Sequence, residues 1–138
     1  MATHTITTDF IGGMTLTANV DGHILTLDAA QEHGGNDKGP RPKPLMLTAL
    51  AGCTALDVVA LLNKMKVNFQ HFGVDVSAAL TEEHPKIYHQ ATITYRIQVS
   101  EDDKPKVEKA VNLSQEKYCG VNAMFKQFAD VDYKIVFS

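Results

Sequence analysis

The sequence predicts a single α+β domain over residues 1–138, with the element order βββ-α-ββ-α-β. Three observations lead to this prediction. Several short segments alternate polar and apolar residues, as half-buried strands do. The stretch from residue 45 to 62 is apolar on every side of a helical wheel. Turns rich in glycine and proline separate these segments, and 138 residues suffice to bury one hydrophobic core.

Composition excludes several classes of protein. Hydrophobic residues make up 44% of the chain and charged residues 21%, so the chain is neither disordered nor collagen-like. With a net charge of −3 and no block of lysine and arginine, we expect no nucleic-acid partner. The first residues lack the basic and apolar pattern of a signal peptide, so we expect a cytoplasmic protein.

The first three predicted strands form a β-meander. They cover residues 5–10, 14–20 and 24–27. Gly12-Gly13 marks the first turn, and Asp21-Gly22 is a strong signal for a two-residue hairpin loop. The polar segment 29–43, rich in glycine and proline, predicts a loop.

The central helix is the most informative element. Residues 45–62 contain one charge, Asp57, and no proline. Such a helix is either a membrane span or a fully buried core helix. Because Asp57 would cost about 2.5–3.5 kcal/mol at the bilayer midplane, we expect a buried helix and no membrane. One sheet covers only one side of a helix, so we also expect a homodimer whose central helices pack together.

The rest of the chain predicts two strands, a broken helix and an edge strand. The strands cover residues 69–80 and 87–99, with a turn at 82–85. Ser100 and Asp103 resemble a capping box at the start of the helix. The buried face of that helix would carry Val107, Ala110, Val111, Ser114 and Tyr118. Gly120 interrupts the helix, a second helical piece covers 121–128, and the edge strand covers 133–137.

The two cysteines are the candidates for chemistry. Cys53 follows a glycine inside the central helix, and Cys119 precedes Gly120 at the end of the second helix. Two cysteines are too few for a disulfide scaffold or a zinc site with four Cys or His ligands. None of the six histidines joins them at ligand spacing, so we expect no metal and no cofactor. From spacing alone, packed apolar thiols remain the favoured interpretation.

Asp57 lies one helical turn after Cys53, on the same face. A buried carboxylate needs hydrogen-bond partners. Its negative charge would raise the pKa of a nearby thiol, which is the wrong direction for activation. We therefore expect a hydrogen-bonded aspartate without a catalytic role.

Two segments resemble the OsmC/Ohr family of osmotically inducible and organic hydroperoxide resistance proteins. Residues 39–59, which contain Cys53, look like the family's central-helix signature. Residues 113–121, which contain Cys119, are similar to its second cysteine motif. The element order also matches over nearly the whole chain. The resemblance implies an OsmC-like, domain-swapped α+β homodimer with active sites at the subunit interface.

The resemblance also implies a cysteine-based hydroperoxide reductase of oxidative-stress defence. Cys53 would be the peroxidatic thiol that attacks an organic hydroperoxide, Cys119 would resolve it as a disulfide, and a dithiol would reduce the enzyme.

The activating pair of the family departs from its pattern in this chain. The family holds an arginine against the first thiol with a glutamate. Pro44 stands at the glutamate position and the N-terminal arginine is missing, which leaves Arg41 or Lys43 as candidate substitutes. The alternative is a dimer without peroxidase activity that binds a small hydrophobic ligand in the interfacial cleft.

Overall fold

The computed structural model describes residues 2–138. The strands are β1 (Thr7–Gly12), β2 (Thr15–Val20), β3 (His23–Leu27), β4 (Gln70–Leu80), β5 (Tyr88–Gln98) and β6 (Asp130–Phe137). The helices are α1 (Leu45–Lys64), α2 (Lys104–Leu113) and α3 (Gly120–Phe125), with a π-helical turn at Ser114–Tyr118. These elements confirm the predicted α+β class. The chain divides into two compact units, one ending at Met46 and the other formed by Leu47–Ser138. The single domain over residues 1–138 stays a prediction.

The N-terminal unit contains an antiparallel meander in the order β1-β2-β3. Val20 pairs with His23, so Asp21 and Gly22 form a two-residue loop. Their φ angles of 53° and 80° are both left-handed, as a type I′ turn requires. The predicted meander and hairpin are therefore confirmed.

The loop after β3 is organised around the buried carboxylate of Asp28, which the sequence did not single out. Asp28 accepts hydrogen bonds from the Thr15 hydroxyl at 3.1 Å and from the backbone N–H of Ala29 at 2.7 Å. The backbone N–H groups of Asn36 and Lys38 donate to it at 3.3 and 3.1 Å. Burial alone would raise the pKa of Asp28, but these hydrogen bonds outweigh burial and lower the pKa.

The C-terminal unit contains a second sheet, in the order β4-β5-β6. β5 pairs antiparallel with β4 and parallel with β6, which is an edge strand as predicted. The alternation along β5 places one set of side chains in the core, namely Ala91, Ile93, Tyr95 and Ile97. Buried residues of α1 and α2 pack in the same core, among them Leu50, Val58, Leu62, Val107 and Val111.

α1 buries one stripe rather than its whole circumference. Leu50, Thr54, Val58 and Leu62, spaced four residues apart, are fully buried. On other faces, Met46 is 45% exposed and Leu56 is 74% exposed. Length and composition would also allow α1 to cross a membrane, but a buried stripe is typical of a core helix. Within one chain, the helix is thus less buried than its composition predicts.

The predicted capping box at the start of α2 is wrong. Neither Ser100 nor Asp103 makes a side-chain capping bond within this segment. A short 3₁₀ turn at Glu101–Asp103 leads directly into the helix, and Pro105 occupies its first turn. Backbone N–H groups in the first turn of a helix have no acceptor within the helix. Because Pro105 has no N–H, the first turn of α2 has one fewer such group for a capping side chain to satisfy.

The end of the second helix also differs from the prediction. Tyr118 is 50% exposed rather than buried, because the π-helical turn at Ser114–Tyr118 changes the helical repeat and turns its side chain outward. The interruption lies at Cys119, whose backbone is extended, and Gly120 is the first residue of α3.

Candidate functional site

Three side chains of the C-terminal unit converge to form the candidate site, Cys53, Asp57 and Cys119. Their Sγ and carboxylate oxygen atoms all lie within 4.8 Å of one another. Cys53 and Asp57 share a face of α1, one turn apart, as the sequence predicted. Cys119 is buried, whereas Cys53 and Asp57 are partly exposed. The structure thus brings the two predicted cysteines together and adds an aspartate for which no catalytic role was predicted.

Local backbone geometry holds Cys119 in place. After the π-helical turn, the backbone of Cys119 leaves the helical region, with φ −78° and ψ 100°, and caps α3. Its Sγ accepts a hydrogen bond from the Asn122 N–H at 3.3 Å, the bond that a serine or aspartate makes at other helix starts. The break in the helix therefore fixes the position of this sulfur.

The two thiols differ in their electrostatic surroundings. Burial raises the pKa of Cys119 to about 12, helped by its hydrogen bond with Cys53 and by the negative charges of Cys53 and Asp57. The Asn122 N–H opposes this rise. Cys119 is therefore a neutral thiol near pH 7.

The arginines are held by aspartates. Arg41 lies 2.6 Å from Asp37 in the N-terminal unit. Arg96 donates to Asp75 at 2.7 Å on the surface of the second sheet. The role of Arg41 or Lys43 as a substitute for the family's activating cation stays a prediction.

A chain of buried hydroxyl groups ends on Asp57. The Ser114 hydroxyl donates to Asp57 Oδ2 at 3.0 Å, and the Ser114 and Thr54 oxygens lie 2.7 Å apart. Thr54 Oγ1 and Tyr95 Oη lie 2.6 Å apart, and the Gln115 amide donates to Tyr95 at 2.7 Å. Each hydroxyl has one proton, so Ser114's bond to the carboxylate requires Thr54 to donate to Ser114 and Tyr95 to donate to Thr54. All these protons point toward Asp57.

This hydroxyl chain has no recognisable motif in the sequence. Its only signal was the presence of polar residues at core positions, since Thr54 lies on the buried stripe of α1 and Tyr95 at an inward position of β5. Such residues require partners. The partners lie 41 and 60 residues apart in sequence, which no local pattern predicts.

The chain is similar to known proteins over most of its length. The family model described as OsmC-like protein matches residues 34–134. Protein YhfA of Escherichia coli strain K12 is 28% identical over 130 residues, which cover 92% of this chain and 94% of YhfA.

Solved structures share the fold. An OsmC-like protein from Mycoplasma pneumoniae matches with a TM-score of 0.82 at 14% identity, covering 99% of this chain and 97% of that one. An organic hydroperoxide resistance protein OsmC from Legionella pneumophila matches with a TM-score of 0.66 at 17% identity, covering 98% of each chain. Because the family model spans most of the sequence, including both cysteines, the chain belongs to the OsmC-like protein family.

Proposed function

We propose that this protein is a cysteine-based hydroperoxide reductase of oxidative-stress defence, acting on organic hydroperoxides. The observation that supports the proposal is the pair of free thiols, Cys53 and Cys119, within 4.8 Å of each other. A disulfide bond is about 2.05 Å long, so the two sulfurs must approach each other to form one. The shared fold with the Legionella hydroperoxide resistance protein agrees with this proposal.

The reaction has two steps in this site. The Cys53 thiolate attacks one peroxide oxygen, the O–O bond breaks, and the alkoxide takes up the proton that Cys53 lost and leaves as an alcohol. Cys53 is then a sulfenic acid. Cys119 attacks the Cys53 sulfur, water leaves, and a disulfide forms, which an external dithiol reduces.

The electrostatics favour this order of roles. A thiol with a pKa raised to about 12 is a poor first nucleophile, so the buried Cys119 suits the resolving role. Cys53 is partly exposed, so a peroxide can reach its sulfur from solvent. Because Pro44 replaces the family's glutamate and Asp57 adds negative charge near the thiols, we expect slow peroxide reduction.

We further infer that the working form is a cytoplasmic homodimer, domain-swapped as the family resemblance implies. Apolar side chains of α1 and α3 are exposed in the single chain, with Leu56 at 74% and Met124 at 60%. A second copy that covers them would stabilise the dimer by about 25 cal/mol for each Å² of apolar surface buried. Sedimentation at micromolar concentration should give the dimer mass, and a monomer would contradict this inference.

The test of the function is peroxide consumption coupled to a dithiol reductant. We expect the wild type to consume cumene hydroperoxide and the Cys53→Ser variant to consume none. Cys119→Ser should react for one turnover and stop at the sulfenic acid of Cys53, which dimedone should trap. Asp132→Asn, an exposed aspartate away from the site, is the matched control and should behave as the wild type.

Mass spectrometry after one equivalent of hydroperoxide provides the decisive outcome. A Cys53–Cys119 disulfide supports the proposal, and two free thiols contradict it. Free thiols are also what the alternative of a hydrophobic-ligand module predicts, so the same measurement separates the two functions.

A further inference from the structure

The candidate site has a composition that peroxide reduction alone does not require. Two thiol sulfurs and a carboxylate oxygen lie within 4.8 Å of one another, and two of the three residues are partly exposed. Asp57 belongs to this group, yet none of the steps proposed above uses it. Cysteine and histidine spacing alone predicts no metal, but a carboxylate also serves as a zinc ligand, and Asp57 provides one here.

We propose that Cys53, Asp57 and Cys119 bind a zinc-class divalent cation in the reduced protein. Zinc binds cysteine sulfur at about 2.3 Å and carboxylate oxygen at about 2.0–2.2 Å. In a tetrahedral site this places two sulfurs about 3.8 Å apart and a sulfur and an oxygen about 3.5 Å apart. Donor atoms within 4.8 Å of one another are therefore close to the separations that one common ion requires.

The backbone positions support chelation. Cys53 and Asp57 are four residues apart on α1, the spacing at which helical residues bind one metal ion from a single face. Cys119 comes from the helix break and has its sulfur oriented by the Asn122 N–H. With three protein ligands, the fourth position is left for water, the arrangement of catalytic rather than structural zinc sites.

The second layer of contacts is also built for a metal ligand. Ligating carboxylates in metal sites are hydrogen-bonded on their other side, which fixes their orientation. The Ser114 hydroxyl donates to Asp57 Oδ2 at 3.0 Å. Ser114 accepts a hydrogen bond from Thr54, which in turn accepts one from Tyr95. The second carboxylate oxygen accepts no hydrogen bond from residues 2–138 and can face the ion.

Charge and ligand softness determine the class of cation. None of the ion pairs among the described residues includes Asp57, so no cationic side chain neutralises it. On binding the cation, the thiols release their protons to solvent, and the resulting thiolates and the carboxylate neutralise its charge. Thiolate ligands select zinc and other borderline-soft ions over Mg²⁺ and Ca²⁺, which take oxygen ligands. The partial exposure of Cys53 and Asp57 provides an entry path.

Titration with Co²⁺ tests the site directly. The full chain, reduced with tris(carboxyethyl)phosphine and freed of metal, should bind one Co²⁺ with tetrahedral visible bands and sulfur-to-cobalt charge transfer, and one Zn²⁺ should displace it. Absence of binding at micromolar protein, or an octahedral spectrum without charge transfer, would overturn the proposal.

Variants assign the ligands. Cys53→Ser and Cys119→Ser should each weaken the charge-transfer band, and Asp57→Asn should lower the affinity while keeping two sulfur ligands. Ser114→Ala, which removes the hydrogen bond to Asp57 and the one that Ser114 accepts from Thr54, should cost about 10–100-fold in Zn²⁺ affinity. Asp132→Asn is the control, and circular dichroism checks the fold of each variant. Unchanged Zn²⁺ affinity in both Asp57→Asn and Ser114→Ala would show that the Asp57 carboxylate is not a zinc ligand.

This inference uses the thiols of the proposed peroxidase but is tested without peroxide. Zinc binding is measured on reduced protein, and peroxide consumption is measured after chelator treatment. A protein that reduces hydroperoxide but binds neither Co²⁺ nor Zn²⁺ would overturn only the zinc site. A protein that binds zinc but whose thiols stay free after hydroperoxide treatment would overturn only the peroxidase.

Discussion

Asp28 in the N-terminal unit and Asp57 in the C-terminal unit are two carboxylates in opposite circumstances. Asp28 is 3% exposed and accepts hydrogen bonds from a hydroxyl and from backbone N–H groups on both of its oxygens. Asp57 is partly exposed, accepts within residues 2–138 from the Ser114 hydroxyl, and lies beside two thiols. A carboxylate surrounded by backbone donors has no oxygen left for chemistry and stabilises a loop. A carboxylate oriented by one hydroxyl keeps an oxygen for a ligand or proton.

The largest effect on stability is expected from breaking the hydroxyl chain behind Asp57. Thr54→Val keeps the side-chain shape but removes the oxygen that accepts the Tyr95 hydroxyl proton. It also removes the hydroxyl that donates to the Ser114 oxygen. We expect a loss of about 3 kcal/mol in the free energy of unfolding, measured by urea titration with circular dichroism. Thr94→Val, on the same strand as Tyr95 but partly exposed, is the control and should change stability by less than about 0.5 kcal/mol. A similar loss in both variants would mean that valine itself, not the hydroxyl chain, is responsible.

The second effect concerns alkaline pH and the site beside Asp57. The pKa of Cys119 is raised from 9.0 to about 12 in the folded chain, first by burial. Above pH 9 the unfolded chain releases this proton and the folded chain keeps it, so stability falls as pH rises from about 9 toward 12. After allowance for solvent screening, we expect a loss of about 2 kcal/mol in the free energy of unfolding over this pH range.

Cys119→Ser is the matched variant for this alkaline effect, because serine preserves the N-cap bond to Asn122. Its urea midpoint should fall less between pH 9 and 12 than that of the wild type. Equal slopes for the two proteins would show that Cys119 does not cause the alkaline loss.

The third effect is at acid pH and concerns the loop around Asp28. Its pKa is lowered in the folded chain, because hydrogen bonds from Lys38, Ala29, Thr15 and Asn36 outweigh burial. Its contribution to stability is complete above the unfolded pKa of about 3.9 and is lost as pH falls through the folded pKa. We therefore expect the protection factors for amide hydrogen exchange in residues 28–40 to fall below pH 4 in the wild type. In Asp28→Asn, exchange there should be fast already at pH 7.

Tyrosine fluorescence separates the two units in that experiment, since the tyrosines, Tyr88, Tyr95, Tyr118 and Tyr133, all lie in the C-terminal unit. Asp28→Asn should leave this signal unchanged at pH 7. A loss of tyrosine signal in parallel with loop exchange would contradict a role of Asp28 confined to its loop.

The smallest effect is expected at the Cys119 thiol when the charge of Asp57 is removed. The negative charge of Asp57 is the last and weakest of the causes that raise the pKa of Cys119. Asp57→Asn should therefore shift the pH midpoint of Cys119 alkylation downward by a small amount. Mass spectrometry of iodoacetamide-treated peptides measures it, with Asp132→Asn as control. An upward shift would contradict the assigned sign of this charge effect.

Much of the fold follows from local patterns along the chain. The alternation of β5 and the Asp21-Gly22 hairpin depend on neighbouring residues, and both are confirmed. The predicted capping box and the buried Tyr118 failed because a 3₁₀ turn and a π-helical turn changed the local geometry. Such irregular turns depend on what the segment packs against, and residue type alone does not reveal it.

By itself, the sequence determined the α+β class, the apolar central helix, and Cys53 and Cys119 as the candidate thiols. Strand and helix periodicity and short motifs are local properties, so one chain read in order suffices for them. Only the tertiary structure decided that Asp57 joins both thiols within 4.8 Å and that Thr54, Tyr95 and Ser114 support it. Apart from Cys53 and Asp57, which are one helical turn apart, those contacts join residues 41 to 66 positions apart in the sequence. Their proximity comes from the packing of α1 against β5 and the segment after α2, which a local pattern does not contain.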